Sequence, residues 1–262
     1  LDDLNGSTDW QEEITRTALT HSHNLTLSGG AEKLTYYASF GAQTQQGIIK
    51  KNELSRYTGR FNATQKLIED RLIVEVNLNV ANTKNYRVPS ASILGDAISS
   101  NPTYPAYDAN GEIAKYQNIN NPLLYIELDK ELINITRVIG NISPSFKIVK
   151  GLVYKLNFGV DNSNGTRDVV ALPNAVPLRD GRLETWTTNK KNTLIENYLT
   201  YTATKDNHDF SVLAGHSYQK FFEQGRNTSI NRFPISPVDP FYNPGMGQEL
   251  TLAANRPGGY AF

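Results

Sequence analysis

Three consecutive segments within residues 34–80 alternate apolar and polar side chains, and this pattern constrains the fold more than any other feature. The apolar positions are Leu34, Tyr36, Ala38, Phe40 and Ala42 in the first segment, Tyr57, Phe61, Ala63 and Leu67 in the second, and Leu72, Val74, Val76, Leu78 and Val80 in the third. Because successive side chains of a strand point to opposite faces, each segment predicts a strand with one apolar and one polar face. The segments exceed the five or six residues of a usual globular strand. They suit strands that cross a bilayer at a tilt, which takes roughly 9–11 residues.

The same alternation continues along the chain and predicts an all-β protein with about eight strands. They are placed near 23–31, 34–46, 54–68, 71–86, 136–149, 152–164, 190–204 and 208–222. Tight turns are expected at 30–33, 68–71, 150–151 and 205–207, and longer connections at 47–53, 87–135 and 165–189. Outer-membrane barrels have short periplasmic turns at one end and long extracellular loops at the other. The alternation of short and long connections therefore favours an antiparallel transmembrane β-barrel portion.

The connections contain short helical candidates and one ordered loop. These are a helical turn over 9–14 capped by Thr8 or Asp9, a helix from Ser90 to Ile98, and a helix that begins at Asn121-Pro122 and runs to about Leu132. The segment 233–247 is rich in proline and aromatic residues and is expected to be a loop.

Composition excludes several classes of function. Lys plus Arg and Asp plus Glu both number 26, so the chain lacks the basic excess of a nucleic-acid binder. The absence of cysteine excludes a disulfide scaffold, a Cys-ligated zinc site and a thiol nucleophile. The sequence has no P-loop, no serine elbow and no defensible carboxylate pair, and His21 and His23 lack an evident third ligand. We therefore predict no enzyme activity, no cofactor and no metal site.

Several motifs occur in an order that identifies a family resemblance. They are TDW and QEEI near the start, HNLTLSGGAEKLTYYASFGAQTQQGIIKKNELSRYTGRFN, then NPTYP, AYDANGE, NPLLYIE, RVIGNIS, GLVYKLNFGVDNSN and FSVLAGHSYQKF. Over residues 8–222 the chain closely resembles SusC-like (SusC/RagA-type) TonB-dependent outer-membrane transporters. The resemblance implies a plugged barrel of about 22 strands. Residues 1–262 are then expected to be a partial barrel domain, without the plug and the C-terminal strands, of a longer polypeptide.

The resemblance also implies a function, a location and partners. The expected function is import of an oligosaccharide or oligopeptide across the outer membrane of a Gram-negative bacterium. The expected partners are a SusD-like surface lipoprotein that acts as a lid, the TonB complex through the N-terminal part, the ligand and outer-membrane lipid. Two alternatives stay open. One is a small self-contained barrel or pore, and the other is a secreted carbohydrate-binding β-domain.

Candidate site residues come from the expected loops and from the polar strand faces. The loop aromatics are candidates for substrate binding, because aromatic faces pack on sugars and on peptide side chains; they are Tyr104, Tyr107, Tyr116, Trp186, Phe241 and Tyr242. Their alternative role is loop packing or contact with the lid. The loops at 87–135 and 223–262 are the expected contact regions. The expected lumen-facing residues are Arg56, Arg60, Lys66, Glu75 and Asn77, which either bond the plug and one another or contact substrate. On the lipid face, Tyr36, Tyr57, Tyr154 and Tyr201 are candidates for aromatic girdles.

Overall fold

A computed structural model describes the backbone of residues 3–117 and 120–261 and the side chains of these residues up to 252. Its main feature is one antiparallel sheet of nine strands that follow each other in chain order. The strands are β1 (Thr20–Ala31), β2 (Leu34–Gln46), β3 (Glu53–Leu67), β4 (Leu72–Arg87), β5 (Asp129–Val149), β6 (Leu152–Ala171), β9 (Gly181–Lys205), β10 (His208–Phe233) and β11 (Glu249–Ala261). A small hairpin of β7 (Asn174–Ala175) and β8 (Leu178–Arg179) lies between β6 and β9. The structure therefore confirms the eight expected strands and adds β11.

The connection expected over 223–262 was wrong for most of its length, and residue 262 lies outside the described part. β10 continues to Phe233 and pairs with β11, so only the stretch between them is a loop, with a short 3-10 helix at Pro244–Met246. The ladder between β10 and β11 shifts register between the pair Gly225–Asn255 and the pair Glu223–Gly258, so Pro257 lies within the irregular stretch. A bulge is a place where a strand tolerates proline, which lacks the donor for a ladder hydrogen bond. Because Pro257 and the two glycines after it are unfavourable in strands, the sequence did not predict a strand here.

The strands at the long-connection end are longer than the alternation indicated. β5 begins at Asp129, β6 reaches Ala171 and β9 begins at Gly181, so the loops expected at 87–135 and 165–189 are shortened, and Trp186 lies on a strand. Of the first of these loops, residues 118 and 119 lie outside the described part. A strand needs only about 9–11 residues to cross a bilayer, so strands of 20 to 26 residues such as β6 and β10 are long enough to project beyond one.

The described residues contain three α-helices near the positions predicted, one before β1 and two in the connection between β4 and β5. The first, α1 (Trp10–Ile14), is capped by Asp9, whose carboxylate accepts hydrogen bonds from the backbone of Gln11 and Glu12. Next comes α2 (Ser90–Ser99), and α3 (Pro122–Leu128) is capped by the side chain of Asn121. This third helix ends before the expected Leu132 because the backbone from Asp129 onward pairs with β6.

The two clusters of buried hydrophobic side chains lie at the long-connection end rather than under the sheet. The larger cluster joins the three helices, and it consists of Trp10, Ile14, Val88, Ile93, Ala97, Tyr104, Ala106, Leu123 and Ile126. A smaller cluster is formed by Val170, Leu183 and Phe233. Strand side chains on the apolar face are exposed instead, as Leu25 (71%) and Phe40 (55%) show. This arrangement fits a sheet that contacts lipid and does not fit a soluble sandwich, which would bury that face against a second sheet.

Within the described residues, none of the helices combines the length and the apolar content that crossing a membrane requires.

The opposite end of the sheet has only tight turns, as expected. The strands there are joined through residues 32–33, 68–71, 150–151 and 206–207. At the turn between β5 and β6, Gly151 has a φ of +81°, and a Cβ at this position would lie 2.2 Å from the carbonyl oxygen of Thr202. Glycine is the residue that adopts this positive φ without strain and that has no Cβ to overlap with Thr202.

Candidate functional site

The strand register divides the main sheet into two faces of opposite chemistry. Paired residues of adjacent strands lie on the same face, so the chain of partners Ala38, Phe61, Leu78 and Gly140 follows one face across β2 to β5. We call this the apolar face. The other face carries partners such as Ser39, Arg60 and Asn79, and we call it the polar face.

The five residues predicted to line a lumen all lie on the polar face. On β3, Arg56 pairs with Thr83, Arg60 with Asn79 and Lys66 with Ile73. On β4, Asn77 pairs with Asn62, and Glu75 lies two residues before Asn77, so it points to the same face. Glu75 forms an ion pair with Lys155 at 3.1 Å. Arg56, Arg60 and Lys66 form no ion pair with another described residue. Three cations on this face are therefore free to meet an external partner. Their orientation toward a lumen stays a prediction.

Further along the same face, polar side chains bond each other across β5, β6 and β9. Arg137 donates two hydrogen bonds to Asp161, at 2.9 and 2.7 Å. Asn157 accepts from Ser143 at 2.7 Å and donates to Glu196 at 2.9 Å. A planar guanidinium fits a carboxylate in this two-bond geometry. These hydrogen bonds hold the charged side chains in fixed positions, and side chains such as Arg137 stay exposed to solvent.

A carboxylate held between two arginines lies at the long-connection end of the polar face. Glu131 accepts hydrogen bonds from Arg87 and Arg167, each at 2.5 Å. Burial raises the pKa of Glu131, but hydrogen bonds and charge from Arg167 and Arg87 outweigh burial, so the pKa lies below its ordinary value. The guanidinium of Arg167 also lies 4.7 Å from the centre of the Trp186 ring. Glu131 therefore fixes the orientation of the cation that covers Trp186.

A cavity of about 610 Å³ lies beside this cluster. Its lining includes four acidic and four basic residues, which are Asp129, Glu131, Asp180, Glu249, Lys130, Arg179, Arg182 and Arg232. Arg179 forms an ion pair with Asp129, and Arg182 pairs with Glu184 at 3.1 Å. The size falls in the range of small-molecule sites. The cavity thus offers both signs of charge to a polar ligand or to another segment.

Two of the predicted ligand-binding aromatics, Tyr104 and Tyr116, pack against each other. The side chain of Tyr104 is buried, and its ring lies 5.5 Å from that of Tyr116. The hydroxyl of Tyr116 donates to the carbonyl of Pro105 at 2.8 Å, and burial raises the pKa of this phenol. Both rings belong to the packing of the 88–128 connection. Tyr104 is buried by this packing and Tyr116 is half-buried, which corresponds to the loop-packing alternative, and a binding role for either residue stays a prediction.

The other four predicted aromatics are partly or largely accessible, in three separate places. Tyr107 lies near α1, where its hydroxyl donates to Glu13 at 3.1 Å. Trp186 lies on β9, on the polar face. Phe241 and Tyr242 form an edge-to-face pair with ring centres 5.1 Å apart, in which Phe241 packs on the smaller buried cluster and Tyr242 is 78% exposed. Their role in binding is not tested by this geometry and stays a prediction.

The contact of Glu131 with Arg87 and Arg167, which we call the Glu131 cluster, was not predicted from the sequence. Residues 129–132 were assigned to the end of a helix, so Glu131 and Arg167 were not placed on neighbouring strands. The sequence does contain charged residues of opposite sign near the ends of three strands, namely Arg87, Glu131 and Arg167. Only the strand register shows that these three residues are neighbours. The four girdle candidates do lie on the apolar face, where Tyr57 pairs with Ala42 and Tyr201 with Val212.

The fold and faces define the class of protein: the chain is an antiparallel portion of an outer-membrane β-barrel. Comparison with known proteins confirms the resemblance to the SusC-like TonB-dependent receptors. No protein-family model matches the chain. The TonB-dependent receptor SusC of Bacteroides thetaiotaomicron is 26% identical over 249 residues, which cover 84% of this chain and 24% of SusC. TonB-dependent receptor P3 of Formosa agariphila is 29% identical over 252 residues, which cover 88% of this chain and 24% of P3.

Solved structures show the same fold. The RagAB peptide transporter matches with a TM-score of 0.79 and 22% identity, over 99% of this chain and 31% of that chain. The RagAB peptide importer in its open-open state matches with a TM-score of 0.79 and 23% identity. The chain spans about a quarter of the length of the curated relatives that it matches.

Proposed function

We propose that residues 1–262 are part of the barrel domain of a TonB-dependent importer that carries an oligosaccharide or an oligopeptide across the outer membrane. The observation that carries the proposal is the contrast between the two faces of one sheet. An exposed apolar face suits lipid, while the other face of the same strands carries ordered ion pairs and free cations. A barrel wall with a wet or plugged interior requires this contrast. The named relatives are receptors and a transporter, so we assign no catalytic role.

The polar face supplies the route in this proposal. The mixed-charge cavity beside Glu131 lies at the long-connection end, and the free cations Arg56 and Arg60 lie farther along the sheet on the same face. We assign the cavity and Trp186 to ligand contact, and Arg56, Arg60 and Lys66 to contact with a plug or with ligand in transit. Capture followed by release needs two states of different ligand affinity, which a TonB-driven plug would supply.

A SusD-like lipoprotein is the proposed partner at the long-connection end. The exposed side chains there include Tyr242 (78%) and Leu178 (77%), which are large apolar groups outside the lipid-facing part of the sheet. Aromatic and aliphatic groups of this kind are typical centres of protein interfaces. Replacement of Tyr242 and Leu178 by Ser should reduce co-purification of the lipoprotein while leaving barrel assembly unchanged. Unchanged co-purification would remove these residues from the lid interface.

An uptake experiment tests the function. Cells that contain the natural polypeptide, and cells from which its gene is deleted, are given fluorescent oligopeptides or oligosaccharides with and without a protonophore. We expect one ligand class to accumulate only in the first cells and only when the proton gradient is intact. Accumulation that persists with the protonophore would instead support a passive pore, which is the function that a small self-contained barrel would have. Equal accumulation in both strains would contradict import by this protein.

A further inference from the structure

A patch of seven amide or hydroxyl side chains and one arginine lies on the apolar face, beyond the lipid-facing band. It has two rows that cross β5, β6, β9 and β10 by strand pairing. The row nearer the band contains Thr136, Asn164, Asn189 and Gln224, and the second row contains Asn134, Thr166, Thr187 and Arg226. We call these eight residues the amide shelf. They line a cavity of about 440 Å³.

The position of the amide shelf places it next to the membrane core on the outer side. On β5 the apolar face continues from Thr136 to Val138, Gly140 and Ile142. Tight turns lie at the far end of these strands, and the long connections lie beyond the shelf. Because long loops mark the extracellular end of an outer-membrane barrel, the shelf lies at the level of the outer-leaflet headgroups.

Positive charge surrounds the shelf on this face. Between the shelf and the band, Lys191 pairs with Asn162 and Lys220 pairs with Thr193, so both cations are on the apolar face. Arg226 ends the second row, and Lys84 pairs with Asn134 at its other end. All four side chains are exposed, and none forms an ion pair with another described residue.

Acidic groups are nearly missing from the same surface. On the apolar face of β4, β5, β6, β9 and the described side chains of β10, Asp168 is the one acid, and it accepts a hydrogen bond from Thr185 at 2.6 Å. Neighbouring acids such as Glu223 and Asp161 are on the polar face, where they pair with Lys190 and Arg137. The shelf therefore favours an anionic partner.

One further observation concerns hydrogen bonding. Asn189 Oδ1 is buried within the shelf and has no hydrogen-bond partner among the described residues. A buried acceptor without a donor is costly, and a hydroxyl of a bound ligand would satisfy it. A dense array of Asn, Thr and Gln side chains offers both donors and acceptors, which is what a sugar requires.

From these observations we infer that the amide shelf binds the phosphorylated sugar headgroup of an outer-leaflet glycolipid. The amide and hydroxyl groups bond the sugar, and Lys191, Lys220 and Arg226 meet the phosphate. The acyl chains then lie along the apolar band below the shelf. This site is on the opposite face of the sheet from the proposed transport route, so it can be tested separately from import.

The test measures binding of a fluorescent, phosphorylated diglucosamine lipid to the natural polypeptide in phosphatidylethanolamine nanodiscs. The shelf variant carries Lys191→Gln, Lys220→Gln and Arg226→Gln. The matched control carries Lys33→Gln, Lys150→Gln and Lys190→Gln, which remove the same charge at the tight-turn end and on the polar face. Each cation near a membrane surface strengthens the binding of an anion by a similar factor, roughly fivefold. The loss of three cations should therefore raise Kd roughly a hundredfold in the shelf variant. The control should keep the affinity of the unaltered protein.

Two additional arms separate headgroup recognition from simple charge. The dephosphorylated lipid should bind weakly to all three proteins, and inorganic phosphate should not displace the fluorescent lipid. The single variant Asn189→Ala, which changes no charge, should weaken binding of the phosphorylated lipid, and it keeps the proposal testable if the triple variant does not assemble. Equal affinity in the shelf and control variants would overturn the proposal. Equal lipid affinity with a change in oligomer size would overturn it too and assign the shelf to a protein contact.

Discussion

Arg167 covers the ring of Trp186 at 4.7 Å while its Nε donates to Glu131 at 2.5 Å, so one guanidinium links a carboxylate on β5 to an indole on β9. Three adjacent strands are required for this contact. It fixes the orientation of the indole through Glu131, which lines the mixed-charge cavity, and for this reason Trp186 is the aromatic residue that we place closest to ligand.

Replacement of Trp186 by Ala should weaken ligand binding by about tenfold, because a well-placed aromatic contact contributes roughly 0.5–1.5 kcal/mol beyond its buried area. The Phe variant should retain most of the affinity. The measurement is equilibrium binding of whichever ligand class the uptake experiment identifies. Tyr201→Ala is the matched control, since Tyr201 is a half-exposed aromatic on the apolar face. Equal affinities for Trp186→Ala and Tyr201→Ala would contradict a ligand role for Trp186.

Substitution of the buried Tyr104 would give a different and less informative result. Tyr104 is 8% exposed and packs on Tyr116 in the helical cluster. We therefore expect Tyr104→Ala to loosen the 88–128 connection, so any loss of ligand binding would be secondary. Protease sensitivity of this connection, compared with that of the Trp186→Ala protein, distinguishes the two effects.

The Glu131 cluster should make the outer strand ends sensitive to acid. The pKa of Glu131 is lower in the folded protein than in the unfolded chain, so its stabilising contribution is complete above the unfolded value of about 4.3. This contribution is lost as the pH falls through the lowered pKa. Amide exchange at the paired ends of β5 and β6 should accelerate in that range, and the acceleration should be smaller in Glu131→Gln. An identical pH profile in both proteins would show that Glu131 does not control the strand ends.

The helical cluster offers a matched pair on one helix. Ile93 of α2 is fully buried, whereas Ile98 of the same helix is 64% exposed. Ile93→Ala should destabilise the cluster by about 2–5 kcal/mol, because it leaves a cavity in a packed core. Ile98→Ala should change stability by less than about 0.5 kcal/mol. Limited proteolysis across 88–128 reports both, and similar digestion of the two variants would be inconsistent with the packing described.

Two glycines of positive φ separate backbone strain from steric overlap. Gly111 has a φ of +83° and no atom within 4 Å of a Cβ built on it, whereas a Cβ on Gly151 would lie 2.2 Å from Thr202 O. Gly111→Ala should therefore cost only the strain of the left-handed conformation, about 1–3 kcal/mol. Gly151→Ala should cost more and reduce the folded fraction, since the turn must also move away from β9. Denaturant unfolding in detergent measures the difference.

Much of the architecture follows from local pattern. The alternation at Leu72, Val74 and Val76 predicts β4, and Asp9 and Asn121 predict the caps of their helices. The pattern failed at the outer strand ends, where Val170 and Leu183 lie in a buried cluster on the face opposite to Trp186, so the alternation seen in the rest of the strands does not continue. It also failed at β11, where Pro257 sits in a bulge that only the pairing with β10 reveals.

By itself, the sequence determined that this chain forms long antiparallel strands with one lipid-compatible face, because the period of two is a property of neighbouring residues. Only the tertiary structure decided which polar residues meet. Arg87, Glu131 and Arg167 are separated by 36 residues or more, and the rows of the amide shelf cross four strands. A shift of one residue in register would send each of these side chains to the other face, so hydrogen bonding between strands, rather than local preference, creates both sites.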